Sequence, residues 1–210
     1  MMEVREITYK EAVEFLLPKH YSGRIPNIHK AFGWFDNDCL KAVITYGKPA
    51  SPSLCKGVCG EQYSEIVWEL NRMCRTDDLD KPLSQFVSKT LKLMSPSIIV
   101  SYSDTAMNHH GYVYQSCNFI YTGATKERTD KWTPSGKHSR HYKNDEQGEY
   151  RKVRSSKHRY IYFCGNKSQK KEWLNALNYP IIQDYPKGDN SNYVLGEYLQ
   201  DKLVKVDKNN

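Results

Sequence analysis

No window of this 210-residue sequence approaches the roughly 20 uninterrupted apolar residues that cross a bilayer, so the chain reads as soluble, with no membrane partner. A secretory leader is not expected either, because Met1–Lys10 carries charges and lacks an apolar stretch. The six cysteines, Cys39, Cys55, Cys59, Cys74, Cys117 and Cys164, are therefore expected as reduced thiols in a cytoplasmic setting, that of the host cell if the chain is phage-encoded. Zinc-finger spacing is lacking too: Cys55-x3-Cys59 has no second pair. Apolar residues are scarce at 39%, yet 16 Tyr, 6 Phe and 4 Trp supply large packing groups, which argues against disorder. There is no internal repeat.

Charge is present, and it is concentrated. Lys126–Tyr160 holds 11 Lys and Arg against 5 Asp and Glu, whereas the rest of the chain holds 20 against 19. Trp132, His138, His141, Tyr142, Tyr150, His158 and Tyr160 are interspersed among these cations. Cations mixed with aromatic planes can neutralise phosphates and stack on bases, although a solvated basic loop has the same composition. Trp132, Lys137, Arg140, Lys143, Arg151, Lys152, Arg154, Lys157 and Arg159 are the candidate nucleic-acid contacts of this segment.

The apolar pattern predicts a strand at Val4–Ile7, a helix over Tyr9–Leu17 capped by Thr8, and strands Ala31–Phe35 and Cys39–Tyr46 joined by Asp36-Asn37-Asp38. Gly47–Glu61, with Pro49, Pro52, Gly57 and Gly60, reads as a loop. A strand at Ile66–Met73 precedes a helix begun by Pro82, with Leu83, Phe86, Val87, Leu91 and Met94 on one face. Ile98–Tyr102 reads as a buried parallel strand, Asn108–Ser116 as a short helix and Phe119–Thr122 as a strand. Beyond the basic segment come a strand at Arg159–Phe163, a helix near Gln169–Leu177 and a short helix at Tyr193–Leu203. The order β-α-β-β-loop-β-α-β-α-β predicts an α/β (α+β) fold, a mixed central sheet flanked by helices as in GNAT-type acyltransferases. Residues 1–125 are the expected catalytic core and 126–210 a basic, aromatic-containing extension packed on it.

Polar side chains gather at three points of that core. The turn Lys19-His20-Tyr21-Ser22-Gly23-Arg24-Ile25-Pro26 offers His20 as a base or metal ligand, Tyr21 for stacking or donation, and Arg24 for a phosphate. Glu69-Leu70-Asn71-Arg72 ends the central strand, where strict alternation puts Glu69 and Asn71 on one face and Leu70 and Arg72 on the other. Arg72 suits a phosphate or carboxylate. Ser101, Ser103 and Asp104 end the next strand, with Asp104 a base, an orienter or a helix cap, and Tyr114 beyond it a candidate acid. His109 and His110 cannot easily face one site from a helix, and a mononuclear site combining His20 with a carboxylate such as Asp104 stays open. The loop Cys74–Pro82 has no glycine and carries Asp77, Asp78 and Asp80, which would repel the diphosphate of acetyl-CoA.

The ordered blocks His20-Tyr21-Ser22-Gly23-Arg24-Ile25-Pro26, Cys59-Gly60, Glu69-Leu70-Asn71-Arg72, Ser101-Tyr102-Ser103-Asp104 and Gly111–Gly123 resemble the Mom family of phage DNA adenine-modification proteins. The resemblance covers roughly residues 15–125 and extends to Lys157–Phe163. It implies a GNAT-like enzyme that adds a carbamoylmethyl group to the N6 amine of adenine in double-stranded DNA, protecting it from restriction. By position, His20, Tyr21, Arg72, Ser101, Ser103, Asp104 and Tyr114 would be its functional set. The donor stays open, with acetyl-CoA disfavoured by the Cys74–Pro82 loop and iron among the groups the resemblance allows. Two other readings stand beside it: a conventional GNAT N-acetyltransferase of a protein or small amine, and a non-catalytic DNA-binding anti-restriction protein.

Overall fold

A computed structural model describes residues 2–132, 149–189 and 200–205. The chain opens with β1 (Met2–Glu6) and α1 (Tyr9–Leu16), then the hairpin β2 (Lys30–Asp36) and β3 (Cys39–Gly47). Thr8 starts α1 as a capping box: its hydroxyl accepts from the Glu11 N–H at 3.3 Å, and the Glu11 carboxylate accepts from the Thr8 N–H at 2.8 Å. The expected loop Gly47–Glu61 instead contains α2 (Pro52–Cys59), and a 3-10 turn, Glu61–Ile66, follows it. Pro52 opens α2 at its first turn, where a missing N–H costs nothing, and Val58 and Cys59 bury its inner face.

β4 (Val67–Arg75), α3 (Leu83–Leu93) and β5 (Ser97–Asp104) form the parallel crossover. α4 (Tyr112–Ser116) is shorter than the predicted Asn108–Ser116 helix, because Asn108 and Gly111 adopt left-handed backbone that ends any earlier helical run. β6 (Ile120–Ala124), β7 (Arg128–Lys131), β8 (Tyr150–Arg154), β9 (Lys157–Cys164), α5 (Lys167–Asn175) and β10 (Leu203–Lys205) follow among the described residues. Leu203 is thus a strand residue, and the rest of the helix expected at Tyr193–Leu203 falls mostly outside the described residues.

Among the described residues, seven strands form one mixed sheet in the order β1-β2-β3-β4-β5-β9-β6, in which only β4 and β5 run parallel. A boundary at residue 125 would therefore cut through this sheet, since β9 comes from the basic extension and lies between β5 and β6. β10, β8 and β7 make a second, three-stranded sheet. Helices cover both faces of the large sheet. Phe86, Val87 and Leu91 of α3 and Tyr114 of α4 pack on Trp34, Ile44, Tyr46 and Ile99. On the opposite face, Ala12, Phe15 and Leu16 of α1 meet Val43 and Cys74, while Val58 of α2 and Trp173 of α5 meet Val67, Val100 and Ile161. This two-sided burial is the main stabilising term for the sheet, at about 25 cal/mol per Å² of apolar surface removed from water.

Two irregularities open the centre of the sheet. β4 pairs with β5 from Val67–Ile98 only to Leu70–Ser101, although both strands continue, to Arg75 and Asp104. On the other side of β4, Thr45 pairs with Arg72 but Tyr46 with Leu70, which leaves Asn71 as the extra residue of a bulge. Asn71 is fixed there by accepting from the Thr45 hydroxyl at 2.7 Å and donating to the Asn27 carbonyl at 2.8 Å.

Candidate active site

The fork between β4 and β5 holds a cavity of about 350 Å³. It joins what the sequence separates: His20 and Tyr21 from the exit of α1, Arg72 from β4, Ser103 and Asp104 from β5, and Tyr114 from α4 all line it. Asn71 explains why Arg72 belongs to the set. The bulge shifts the alternation by one residue, so Glu69 and Arg72 both line the cavity, contrary to strict alternation. Ser101, expected among these groups, is not part of the lining. Fully buried at the last paired position, it donates to the Leu70 carbonyl at 2.9 Å and pins the apex of the fork. Arg24 is exposed and outside the lining; its charge acts on Arg72 from a distance.

The electrostatics reassign several roles. Burial, with the charges of Arg72 and His109, pushes the His20 imidazole down to about 3, so the ring is neutral at pH 7. The Ser22 N–H donates to His20 Nδ1 at 3.2 Å, which assigns the remaining proton to Nε2. His20 is then a donor rather than a base, and its ring stacks on Tyr21 with centroids 4.4 Å apart. Burial and the Asp104 charge push the Tyr21 phenol up to about 12, and burial raises that of Tyr114, so both hydroxyls keep their protons. His109 meets Tyr21 edge-on at 5.6 Å and also lines the cavity, while the carbonyl of its neighbour His110 accepts from Gln115 at 2.8 Å.

Asp104 does not suit the role of proton acceptor. Burial alone would raise its pKa, but hydrogen bonds from Lys157, Ser155 and the Ala106 N–H outweigh that and hold the carboxyl below its usual range. Oδ1 accepts from Ser155 at 2.5 Å and from Ala106 at 3.0 Å, and Oδ2 is paired with Lys157 Nζ. Asp104 thus caps the short turn Thr105–Met107 and anchors the start of β9. Two donors in the lining remain unmatched: Arg72 Nε and Ser103 Oγ are buried with no hydrogen-bond partner among the described residues. Unmatched buried donors each cost about 1–3 kcal/mol, a cost that a ligand bearing acceptors removes.

Glu69 was legible in the sequence only as part of a strand end. Its carboxyl lines the cavity half-buried, and burial raises its pKa against the lowering effect of Arg72 and Lys157. No hydrogen bond or ion pair holds it among the described residues, in contrast to Asp104.

Both groups suggested for the site would meet atoms already engaged within the fold. A metal at His20 and Asp104 would have to displace the partners that bond both oxygens of the carboxylate, Ser155 and the Ala106 N–H on one and Lys157 on the other. Among the described residues no three His, Cys, Asp or Glu side chains are grouped to hold an ion. The acetyl-CoA diphosphate would meet a loop whose Thr76 N–H already donates to Lys41 at 2.8 Å and whose Leu79 N–H donates to Thr76 at 3.3 Å. Asp77 of that loop faces the cavity, and Pro82 at the helix start has no N–H to offer.

The basic segment is more self-contained than its charge count implied. Arg154 bonds Asp130 at 2.7 Å, Lys152 pairs with Asp201, Lys157 with Asp104, and Arg159 stacks over Tyr179 at 3.4 Å while bonding Thr122 at 2.8 Å. These four cations, expected to contact phosphates, are engaged within the fold. Arg151 is held to Thr129 by uncharged acceptors at 2.7 and 3.0 Å, so its charge is not neutralised. Trp132 meets half-exposed Tyr150 edge-on at 6.4 Å. Lys137, Arg140 and Lys143 lie outside the described residues.

The fold is a mixed α/β sheet covered by helices, with a cavity at its split centre. Solved structures of similar course include an N-acetyltransferase from Staphylococcus aureus Mu50, 13% identical with a TM-score of 0.47 over 78% of this chain and 99% of that one. Another is a GNAT-family acetyltransferase from Bacillus cereus, 9% identical with a TM-score of 0.45 over 78% and 97%. The profile of the Mom protein family matches residues 1–187, and the chain belongs to that family. A relative from Escherichia phage Mu, described as methylcarbamoylase mom, is 25% identical over 205 residues, covering 89% of this chain and 84% of the relative.

Proposed function

We propose that the chain is a transferase that places a carbamoylmethyl group on the N6 amine of adenine in double-stranded DNA and so protects that DNA from restriction. The observation that carries this reading is the convergence of Tyr21, Glu69, Arg72, Ser103 and Tyr114 on one cavity. Its volume of about 350 Å³ lies at the small end of the roughly 300–1,000 Å³ typical of small-molecule sites, in keeping with one extruded purine and a short transferred group. The name of the phage Mu relative, a methylcarbamoylase, is in keeping with transfer of a small amide-bearing group.

The N6 amine is a weak nucleophile inside a base stack, so the base must leave the duplex. Tyr21, backed by His20, offers a flat aromatic face for it. Arg72 Nε and Ser103 Oγ supply donors for the carbonyl oxygen of the transferred amide. The bond from N6 to the methylene carbon forms as the bond from that carbon to the donor's leaving group breaks, its electron pair departing with that group, and N6 gives up one proton. We read the donor as a small carbamoylmethyl compound rather than acetyl-CoA, which would deliver an acetyl group and which the Cys74–Pro82 loop does not suit. Lys131 and Arg151 on the small sheet are the described cations assigned to the DNA backbone.

The test uses plasmid DNA purified free of protein from cells expressing the chain. Resistance to endonucleases whose sites contain adenine is expected; complete digestion, with the protein present and folded, would exclude this function.

A further inference from the structure

We propose that the Glu69 carboxylate is the base that receives the N6 proton, an assignment that rests on the cavity being the adenine site. Geometry selects it. The cavity lining offers three carboxylates and two histidines: Glu69, Asp77, Asp104, His20 and His109. Asp104 is bonded on both oxygens, and His20 accepts at Nδ1 from Ser22. Asp77 is exposed to solvent on the loop that precedes α3, away from the buried part of the cavity wall. His109 packs against Tyr21 with the ring planes at 79°, and burial lowers its imidazole pKa, which makes it a weaker base than a free histidine.

Glu69 alone combines half-burial, a place in the lining and a carboxylate that no described residue bonds. Asn71 is what brings it there beside Arg72. The groups that face it are Arg72 of β4, Lys157 of β9, Tyr102 of β5, Tyr114 of α4 and Cys55 of α2. Two are cations that keep the carboxylate form accessible, and the others are a thiol and two phenols whose protons burial holds more tightly still. Desolvation makes the carboxylate more basic than one in water, which suits proton abstraction near neutrality. In the step, the N6–H electron pair stays with nitrogen as the new N6–carbon bond forms, and the proton passes to Glu69, giving the carboxylic acid. Water regenerates the carboxylate once product leaves.

The experiment compares wild type with Glu69→Gln and Glu69→Asp, each as the full chain. DNA from expressing cells is digested and its adenine nucleosides quantified by mass spectrometry, and the purified proteins are assayed with duplex DNA and host-cell extract as the donor source from pH 5 to 9. Duplex with 2-aminopurine at the target position reports base extrusion by its fluorescence. Expected for Glu69→Gln is a roughly 100-fold or greater loss of modified adenine, unchanged extrusion and disappearance of the acid limb of the rate profile. Glu69→Asp, which keeps a carboxylate one methylene short, is expected to retain the acid limb at a rate between the two. The assignment is overturned if Glu69→Gln keeps more than about a tenth of the wild-type product or its acid limb, or, should that variant fail to fold, if Glu69→Asp matches wild type. A wild type that makes no modified adenine instead removes the functional reading itself, and the base with it.

Discussion

Glu69 and Arg72 stand three positions apart on one strand and nevertheless line the same cavity, because Asn71 between them is an extra residue without a partner of its own on β3. A regular strand would turn one of the two to the opposite face. The bulge is therefore the local device that makes a site of the split between β4 and β5, and Ser101 sets where the split begins.

A carboxyl whose pKa is raised in the fold binds its proton more tightly there than in the unfolded chain. Stability is thus lost as pH climbs through the ordinary carboxylate range toward the raised value. Glu69→Gln is expected to raise the melting temperature at pH 8 and to leave it unchanged at pH 4. Thermal unfolding at both values checks this; an equal shift at the two would contradict it.

His20 has the opposite sign. Its folded pKa lies at about 3 against 6.5 for the free group, so the unfolded chain takes up a proton first as pH falls through this window. The stability that neutral His20 contributes is present above about 6.5 and declines below it by up to ~1.4 kcal/mol per pH unit. In urea titrations from pH 7 to 5, His20→Asn should flatten that slope.

Lys157 and Asp104 form a tie between β9 and the end of β5. Asp104→Asn keeps an oxygen for the Ala106 N–H but loses the charge on Lys157, and is expected to cost about 2 kcal/mol. A double-mutant cycle with Lys157→Met measures the coupling; additive costs would show that the tie contributes nothing.

Gly111 has a φ of 77°, and a Cβ there would stand 2.4 Å from the Tyr160 ring. Gly111→Ala is expected to destabilise by about 1–3 kcal/mol and to displace Tyr112 and Tyr114 at the cavity wall. Denaturant midpoints and 2-aminopurine fluorescence read the two effects separately.

On the small sheet, replacing Lys131 and Arg151 together with Gln is expected to reduce the salt slope of DNA binding by roughly 0.9 for each phosphate that is no longer neutralised. Arg154→Gln and Arg159→Gln, whose cations are held by Asp130 and Tyr179, should lower stability with little change in that slope. Anisotropy titrations at several salt concentrations distinguish the two groups.

Local signals made much of the fold readable. Thr8 with Glu11 marked α1, Asp36-Asn37-Asp38 marked the β2–β3 turn, and the Phe86, Val87 and Leu91 face marked α3. Pro52 and Gly57 were misleading, since the first starts α2 and the second admits the Tyr179 hydroxyl, which would lie 3.2 Å from a Cβ. Residues His20, Tyr21, Arg72, Ser103, Asp104 and Tyr114 were placed by chemistry and found together, whereas the importance of Glu69 depended on a bulge that no residue type announces. The engagement of Lys157 by Asp104 was likewise hidden, because a charge count along the chain carries no information about a partner 53 positions away.

The most direct measurement is the mass and fragmentation of adenine nucleosides from the DNA of cells expressing the chain. The expected result is a species heavier by one carbamoylmethyl group, with the added mass retained on the base and assigned to N6. Unmodified nucleosides throughout, from cells that contain the folded protein, would contradict the account.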